Sequence, residues 1–217
     1  MFAVIVAAFG CLCPGYKSGR RRWTAMAKNR KLTKAEKADL KAARAAAIEP
    51  DSRAERVVAA FRGIGDQPPM TVASATVLAC GLGFRDRRMA RTGLRMLAAL
   101  GLATLIKGAI KNNVDRTRPG EVIENGRYRL KPGSSKAKAL RSMPSGHSAG
   151  AAAVFAATAR EYPGAGVPLM GAAGAIAAAQ LPTRSHFVSD VAAGFAIGLA
   201  AEWIASAAVD RLDEAIA

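Results

Sequence analysis

Cysteine and histidine are scarce in this chain, and their scarcity limits the chemistry that it can carry. Cys11, Cys13 and Cys80 are too few and too irregularly spaced for a zinc site or a disulfide framework. We therefore expect no bound metal, no cofactor and a fold that depends on packing. Only two histidines occur, His147 and His186, and they are the first candidates for catalysis.

Acidic residues are also few. The chain has 32 Lys and Arg against 16 Asp and Glu, which gives a net charge of +16 and a pI of about 10.6. Yet 51% of the residues are hydrophobic and the mean hydropathy is +0.11. Since this pairing is unusual for a soluble nucleic-acid-binding protein, we expect no nucleic-acid partner. Basic ends on an apolar body are typical of a membrane protein.

Charge is absent from residues 67–84, and beyond them apolar stretches alternate with short basic ones. Each stretch approaches the length that crosses a hydrocarbon layer of ~30 Å. We therefore predict an all-α integral membrane bundle with about five spans, at 68–84, 91–111, 146–160, 164–183 and 187–209. Gly194 with Gly198 and Gly146 with Gly150 predict close contacts between helices. The alternative is a soluble bundle of Ala-rich buried helices.

The N-terminal part has a different composition, so we divide the chain into a basic region, 1–54, and a membrane domain, 55–217. The apolar start, residues 1–12, is either a signal-like segment or lies ahead of a true start at Met26. The basic region is expected to be partly flexible or to lie on the membrane surface.

Two helix starts are predicted near the end of the basic region. Thr33 with Glu36, and Ser52 with Glu55, have the capping-box form. The second helix carries apolar side chains on one side, at Val57, Val58, Phe61 and Ile64. It is expected either to lie on an anionic membrane as an amphipathic helix or to pack against the rest of the protein.

Four arginines lie at the junction of the first two spans, at Arg85, Arg87, Arg88 and Arg91. Positive loops stay cytoplasmic, so the second span runs outward. The following spans then place residues 111–118, 144–147 and 184–190 at the outer face of a bacterial-type cytoplasmic membrane. The basic stretch 112–144 is rich in Pro and Gly and is predicted to be an irregular lid. The same topology puts the basic N-terminal region outside, against the usual rule.

Three short segments carry the residues that phosphate chemistry needs. The first runs from Lys111 to Pro119 and includes Arg118. The second is residues 144–147, and the third runs from His186 to Asp190. Cations bind an anion, and two imidazoles can attack and protonate it. Together these segments predict phosphoryl transfer through a histidine.

The three segments resemble the signature of the type 2 phosphatidic acid phosphatase superfamily, KxxxxxxRP, then PSGH, then SRxxxxxHxxxD. Residues 111–119 match the first motif, residues 144–147 the second, and residues 186–190 the HxxxD part of the third. Their joint occurrence in this order is specific, whereas PSGH alone would be weak. The resemblance spans roughly residues 55–209 and implies a helical membrane phosphatase that acts without a metal.

The third motif departs from the family pattern. Ala179 and Gln180 stand where the family has Ser and Arg, and an arginine occurs only at Arg184, two residues before His186. We favour Arg184 as the replacement phosphate ligand because a guanidinium forms paired, charge-assisted hydrogen bonds. The alternative is that Gln180 serves as a neutral donor.

The resemblance implies a role for each catalytic residue. His186 is the expected nucleophile, and Asp190, one helical turn later, is expected to accept a hydrogen bond from its ring and hold the tautomer. His147 is expected to protonate the leaving oxygen and then to activate water. Two other charged residues receive no such role. Arg116 is expected to be a lid charge, with contact to the substrate as the alternative, and Glu202 is expected to be a structural residue near the cytoplasmic end.

The remaining matched residues are expected to bind the phosphate. Lys111 and Arg118 neutralise the charge on its oxygens in the transition state. Ser145 and Gly146 open a helix, so their free backbone N–H groups and the Ser145 hydroxyl can hold further oxygens.

We therefore predict a phosphatase that removes a phosphomonoester or pyrophosphate group from a lipid. The sequence does not choose among phosphatidate, phosphatidylglycerophosphate and polyprenyl pyrophosphate, and it leaves the oligomeric state open. One alternative is a soluble acid phosphatase or vanadate-dependent haloperoxidase of the same superfamily. Another is a non-catalytic basic membrane or nucleic-acid adaptor built on residues 17–62.

Overall fold

The computed structural model describes residues 32–216, and most of them are helical. The helices are α1 (Lys34–Ala46), α2 (Arg53–Gly63), α3 (Gln67–Gly83), α4 (Arg87–Lys111), α5 (Pro119–Asn125), α6 (Gly146–Glu161), α7 (Gly166–Ala178) and α8 (Val188–Ile216). Two short strands, β1 (Val114–Arg116) and β2 (Leu130–Pro132), pair antiparallel. Cys11, Cys13, the apolar start and Met26 lie outside the described residues.

Five apolar helices, α3, α4, α6, α7 and α8, fall close to the five predicted spans. Within residues 32–216, two of them, α4 and α8, are long and apolar enough to cross a membrane. By comparison, α3 has 17 residues and α6 has 16. The all-helical bundle with candidate membrane spans is therefore confirmed, and the count of five spans stays a prediction.

The bundle is built around α6, which contacts α3, α4, α7 and α8. Its core is made largely of alanine, because small side chains let helix backbones approach closely. A Cβ at Gly194 would overlap the Ser145 carbonyl oxygen, and one at Gly198 would overlap the Ala149 carbonyl oxygen. This predicted glycine pair is confirmed as the contact of α8 with α6. The other pair is looser, since a Cβ at Gly150 would lie 3.4 Å from Leu100 Cδ1.

The two N-terminal helices begin where the capping boxes predict. Thr33 Oγ1 accepts from the Glu36 N–H at 3.2 Å, and Ser52 Oγ accepts from the Glu55 N–H at 3.0 Å. α1 packs on the bundle, with Ala43 buried in a small cluster with Val122 and Phe187. On α2, in contrast, the side chains of Val57, Phe61 and Ile64 are exposed.

The stretch 112–144 is more ordered than the predicted irregular lid, which is a correction. It holds the β1–β2 ribbon and α5. Asp115 Oδ1 accepts from the Ser135 N–H at 2.9 Å, and the Ser142 N–H donates to the Arg116 carbonyl oxygen at 3.1 Å. Sequence composition missed this order because the buried Asp115 acts as a local hydrogen-bond centre, which a count of Pro and Gly does not detect.

A buried ionic cluster closes the end of the bundle opposite the three motifs. The Glu161 carboxylate pairs with Arg91 at 2.8 Å and with Arg95 at 2.7 Å. Glu202 accepts from Arg160 at 2.5 Å and from Ser206 at 2.7 Å, as a structural role for Glu202 requires. Since the charges here are paired with each other, this end holds the helices together.

The close contact at Gly198 gives a stability prediction. Gly198→Ala should lower the thermal unfolding midpoint, because the added methyl overlaps α6 backbone and overpacking costs about 1–3 kcal/mol. Gly171→Ala is the matched control on α7, where no described atom lies within 4 Å of the new Cβ. It should leave stability unchanged or raise it by about 0.5–1 kcal/mol, since glycine is a poor helix former. Equal midpoints for the two variants in detergent would contradict the packing described here.

Candidate active site

All three sequence motifs meet at one end of the bundle. Lys111 is the last residue of α4, Arg118 immediately precedes α5, and Ser145 immediately precedes α6. His186 lies in the loop before α8, and Asp190 in the first turn of that helix. The predicted convergence of the motifs is thus present in the fold.

His186 is buried and held by one strong hydrogen bond. Its Nδ1 donates to the Ser142 carbonyl oxygen at 2.7 Å, since a carbonyl can only accept. The neutral ring therefore carries its proton on Nδ1 and keeps the lone pair on Nε2. Burial lowers the pKa of His186 to about 4, and the positive charges of Arg118 and Lys111 act in the same direction. At neutral pH the imidazole is uncharged, as a nucleophile must be.

Asp190 does not make the direct hydrogen bond to His186 that we expected. Its Oδ2 lies 3.9 Å from His186 Nδ1, because the Ser142 carbonyl oxygen already takes that proton. The fully buried carboxylate instead accepts from Ser142 Oγ at 2.5 Å and from the Phe187 N–H at 2.9 Å. Asp190 thus fixes the two segments that orient the imidazole. Ser142 was missed by sequence reasoning, although it lies only two residues before the PSGH motif.

Arg116 is a buried part of this network, so its predicted role as a lid charge is wrong. Its Nη1 donates to Asp190 Oδ1 at 2.6 Å, and its Nη2 donates to Asp39 Oδ2 at 2.8 Å. The guanidinium also lies 4.4 Å from the ring centroid of Phe187. Asp39 comes from α1, far away in sequence, so no local pattern identifies it. A basic N-terminal helix therefore contributes a carboxylate behind the site.

His147, the second residue of α6, is paired with a carboxylate that the sequence did not single out. Its Nε2 lies 2.6 Å from Asp66 Oδ1. This hydrogen bond with His147 lowers the pKa of Asp66. Asp66 directly precedes α3 but makes no side-chain cap to it, so its carboxylate is directed at the imidazole instead.

The residues at the start of α6 are placed as predicted, but the Ser145 side chain is occupied. Its Oγ caps the helix by accepting from the Ser148 N–H at 3.4 Å, and its own N–H donates to the Asp190 carbonyl oxygen at 3.0 Å. Lys107, which the motifs did not include, extends over Gly146, with Nζ 3.5 Å from the position of a Cβ there. The α6 N-terminus is therefore flanked by an additional cation.

Three candidate phosphate ligands remain: Arg118, Arg184 and Gln180. Burial lowers the pKa of Arg118, and the nearby positive charge of Arg62 adds to this effect. Arg184 adopts a left-handed backbone, with φ at 52°, and its carbonyl oxygen accepts from the Gly120 N–H at 3.1 Å. Gln180 is fully buried, and its amide donates to the Ile176 carbonyl oxygen at 3.3 Å, which directs it into α7.

Metal-binding clusters are absent from the described part of the chain. No group of three or more His, Cys, Asp or Glu side chains in residues 32–216 is placed to hold an ion. Positive charge near His186 is supplied by Arg118 and Lys111.

Comparison with known proteins agrees with this geometry. The chain is 31% identical over 106 residues to a lipid A 1-phosphatase from Rhizobium etli, a match that covers 49% of this chain and 45% of that protein. The chain thus spans about half the length of this curated relative. A crystal structure of a transmembrane PAP2-type phosphatidylglycerolphosphate phosphatase from Bacillus subtilis has the same fold, with a TM-score of 0.58 and 23% identity, over 85% of this chain and 89% of that one.

The family model of the PAP2 superfamily matches residues 92–214, more than half of the sequence. This segment contains Lys111, Arg118, His147, His186 and Asp190, the five residues that first identified the site. The chain therefore belongs to the PAP2 superfamily.

Proposed function

We propose that the protein is a lipid phosphatase that hydrolyses a phosphomonoester or pyrophosphate through a phosphohistidine at His186. The observation that carries this proposal is the state of that imidazole. It is buried and neutral, its Nδ1 proton is fixed on the Ser142 carbonyl oxygen, and cations from α4 and from the segment before α5 act on it. Such a ring presents a nucleophilic Nε2 to a bound anion.

The reaction has two steps. In the first, His186 Nε2 forms a bond to phosphorus, the bond to the leaving oxygen breaks, and His147 gives that oxygen its proton. In the second, His147 takes a proton from water, the hydroxide attacks phosphorus, and the phosphorus–nitrogen bond breaks to release inorganic phosphate. The Asp190 carboxylate, 3.9 Å from Nδ1, stabilises the imidazolium that forms in the first step.

Lysine and arginine are proposed to bind the transferred group. Lys111 and Arg118 face the equatorial oxygens, with Arg184, Gly146 and the Ser145 segment as further donors. These cations supply the positive charge that Mg²⁺ supplies in kinases, so we propose that the enzyme needs no metal.

An apolar groove beside His186 supports a lipid as the substrate. It lies between α7 and α8, and its lining includes Leu181 and Val188, on either side of the loop that holds His186. It is lined entirely by apolar or glycine residues: Gly174, Ala177, Ala178, Leu181, Val188, Val191, Ala192, Phe195, Ala196 and Leu199. A hydrocarbon tail could lie there while its phosphate reaches the site. The candidate substrates are phosphatidate, phosphatidylglycerophosphate, a polyprenyl pyrophosphate and a lipid A-type glycolipid.

We place the protein in a bacterial-type cytoplasmic membrane, with the site facing outward. Arg88, Arg91 and Arg95 lie at one end of α4 and Lys111 at the other, so the site is opposite the arginine-rich end. The positive end is expected to face the cytoplasm. The exposed apolar side of α2 is proposed to rest on the same outer surface.

The phosphohistidine is tested by trapping it. Wild-type protein, incubated in EDTA with a radiolabelled lipid phosphate and quenched in base, should carry acid-labile label. His186→Ala should carry none and show no turnover, because the nucleophile is gone. Normal elution and thermal unfolding of the variant show that it is folded. Label that persists on His186→Ala but disappears from His147→Ala would reverse the two roles, and turnover that requires added Mg²⁺ would contradict the metal-free reaction.

The role of Arg184 is tested against its neighbour in the motif. Arg184→Ala should lower kcat/KM by roughly 10²–10³-fold, the loss expected when one transition-state donor is removed. Gln180→Ala should cost far less, because the Gln180 amide is directed at the Ile176 carbonyl oxygen. Arg184→Lys should restore only part of the activity, since an ammonium keeps the charge but loses the paired hydrogen bonds. Near-wild-type kinetics of Arg184→Ala would show that Arg184 does not hold the phosphate.

A further inference from the structure

We propose that Arg62 of α2, which lies outside the segment that the family model matches, is a phosphate-binding residue of this site. The inference rests on the proposed function. The Arg62 Nη1 donates to Ser185 Oγ at 2.7 Å and contacts Thr183 Oγ1 at 3.4 Å. Ser185 directly precedes His186. The guanidinium is therefore fixed one residue from the proposed nucleophile.

The charge of Arg62 acts on both halves of the site. It lowers the pKa of Arg118, after burial, and it contributes to the low pKa of Asp66, the partner of His147. One guanidinium thus influences both a proposed phosphate ligand, Arg118, and the carboxylate that pairs with His147.

Within residues 32–216, no carboxylate forms an ion pair with Arg62, whose hydrogen-bond partners are neutral hydroxyls. Two other arginines nearby, in contrast, lie close to carboxylates. Arg116 is paired with Asp39 and Asp190, and Arg184 lies 4.0 Å from Glu124. The positive charge of Arg62 disfavours the charged form of Arg118, and a phosphate group bound by both guanidinium groups would offset that cost.

The backbone that carries Arg62 is pressed against the site. Its carbonyl oxygen accepts from the Gly65 N–H at 2.9 Å. A Cβ at Gly65 would lie 2.5 Å from Ile176 Cγ2 and 3.5 Å from His147 Cβ, so only glycine allows this turn to approach α6 and α7. The turn that follows Arg62 is thus held against α6 and α7, beside His147. With Gln180 turned away, this provides a guanidinium to the loop of the third motif from a different helix.

The competing explanation is that Arg62 only anchors the loop 183–185. Three variants separate the two explanations, with Arg56→Ala as the control, because Arg56 is on the same helix but is exposed and donates to the Asp51 carbonyl oxygen. Arg62→Ala removes both the charge and the anchor, Arg62→Lys keeps the charge, and Ser185→Ala removes the anchoring hydroxyl but leaves the guanidinium.

For each variant, kcat/KM is measured on a lipid phosphate that the wild type hydrolyses, together with the inhibition constant of inorganic phosphate. Arg62→Ala should lower kcat/KM and weaken phosphate inhibition, each by about 10–100-fold, the usual effect of losing a hydrogen bond to a charged group. Arg62→Lys should recover part of both. Ser185→Ala should lose clearly less than Arg62→Ala, because the Thr183 hydroxyl still accepts from the guanidinium, and Arg56→Ala should stay close to wild type. A loss in Ser185→Ala as large as that in Arg62→Ala would establish the anchor instead, and unchanged phosphate inhibition in Arg62→Ala would overturn the proposal.

A binding experiment tests Arg62 separately from the proposed function. If the wild type hydrolyses no lipid phosphate, the binding of inorganic phosphate still tests Arg62, through the rise in thermal unfolding midpoint that phosphate produces. A rise in the wild type that is lost in Arg62→Ala but kept in Arg56→Ala supports the assignment. Equal rises in all three proteins refute it.

Discussion

The hydrogen bond from His186 Nδ1 to the Ser142 carbonyl oxygen is the contact on which the catalytic end depends. It selects the tautomer, and burial keeps the ring neutral among several cations. The bond lasts only while Ser142 stays in place, and Ser142 Oγ is held by Asp190, which is in turn held by Arg116. Arg116 also donates a hydrogen bond to Asp39 of α1. Removing one partner of a buried carboxylate–guanidinium pair leaves an uncompensated charge, so these residues act as one unit.

The two ends of the bundle differ in how their charged side chains are paired. Acidic and basic side chains at the arginine-rich end are paired with each other, as Glu161 is with Arg95. At the motif end, cations outnumber their partners, and the positive charge of Arg62 lowers the pKa of Arg118, after burial. Glycine and alanine between the ends let α8 approach α6 closely, so the first turn of α8, with Asp190, is placed against the start of α6. Packing of the apolar middle therefore sets the geometry of the charged end.

Most features that depend on residues close together in the sequence were predicted correctly. Helix starts at Thr33 and Ser52 follow from hydroxyl and glutamate spacing, and the Gly194–Gly198 contact follows from a four-residue repeat. The motif residues are brought together because their helices begin or end at one face. Long-range partners were not predictable: nothing near Asp39 or Asp66 indicates that one would reach Arg116 and the other His147. The direct His186–Asp190 bond was expected from helical spacing, but a backbone carbonyl competes for that proton, and spacing patterns do not include the backbone.

The state of His186 is the most direct test of this account, and the chain is suited to it because it has only two histidines. Protein labelled with nitrogen-15 in histidine, compared with its His147→Gln variant, gives a separate NMR signal for each ring. The His186 ring should show the neutral tautomer with its proton on Nδ1, should not titrate between about pH 5 and pH 8, and should begin to protonate only near a pKa of about 4. A ring that carries its proton on Nε2, or that titrates at the ordinary value of about 6.5, would contradict the account.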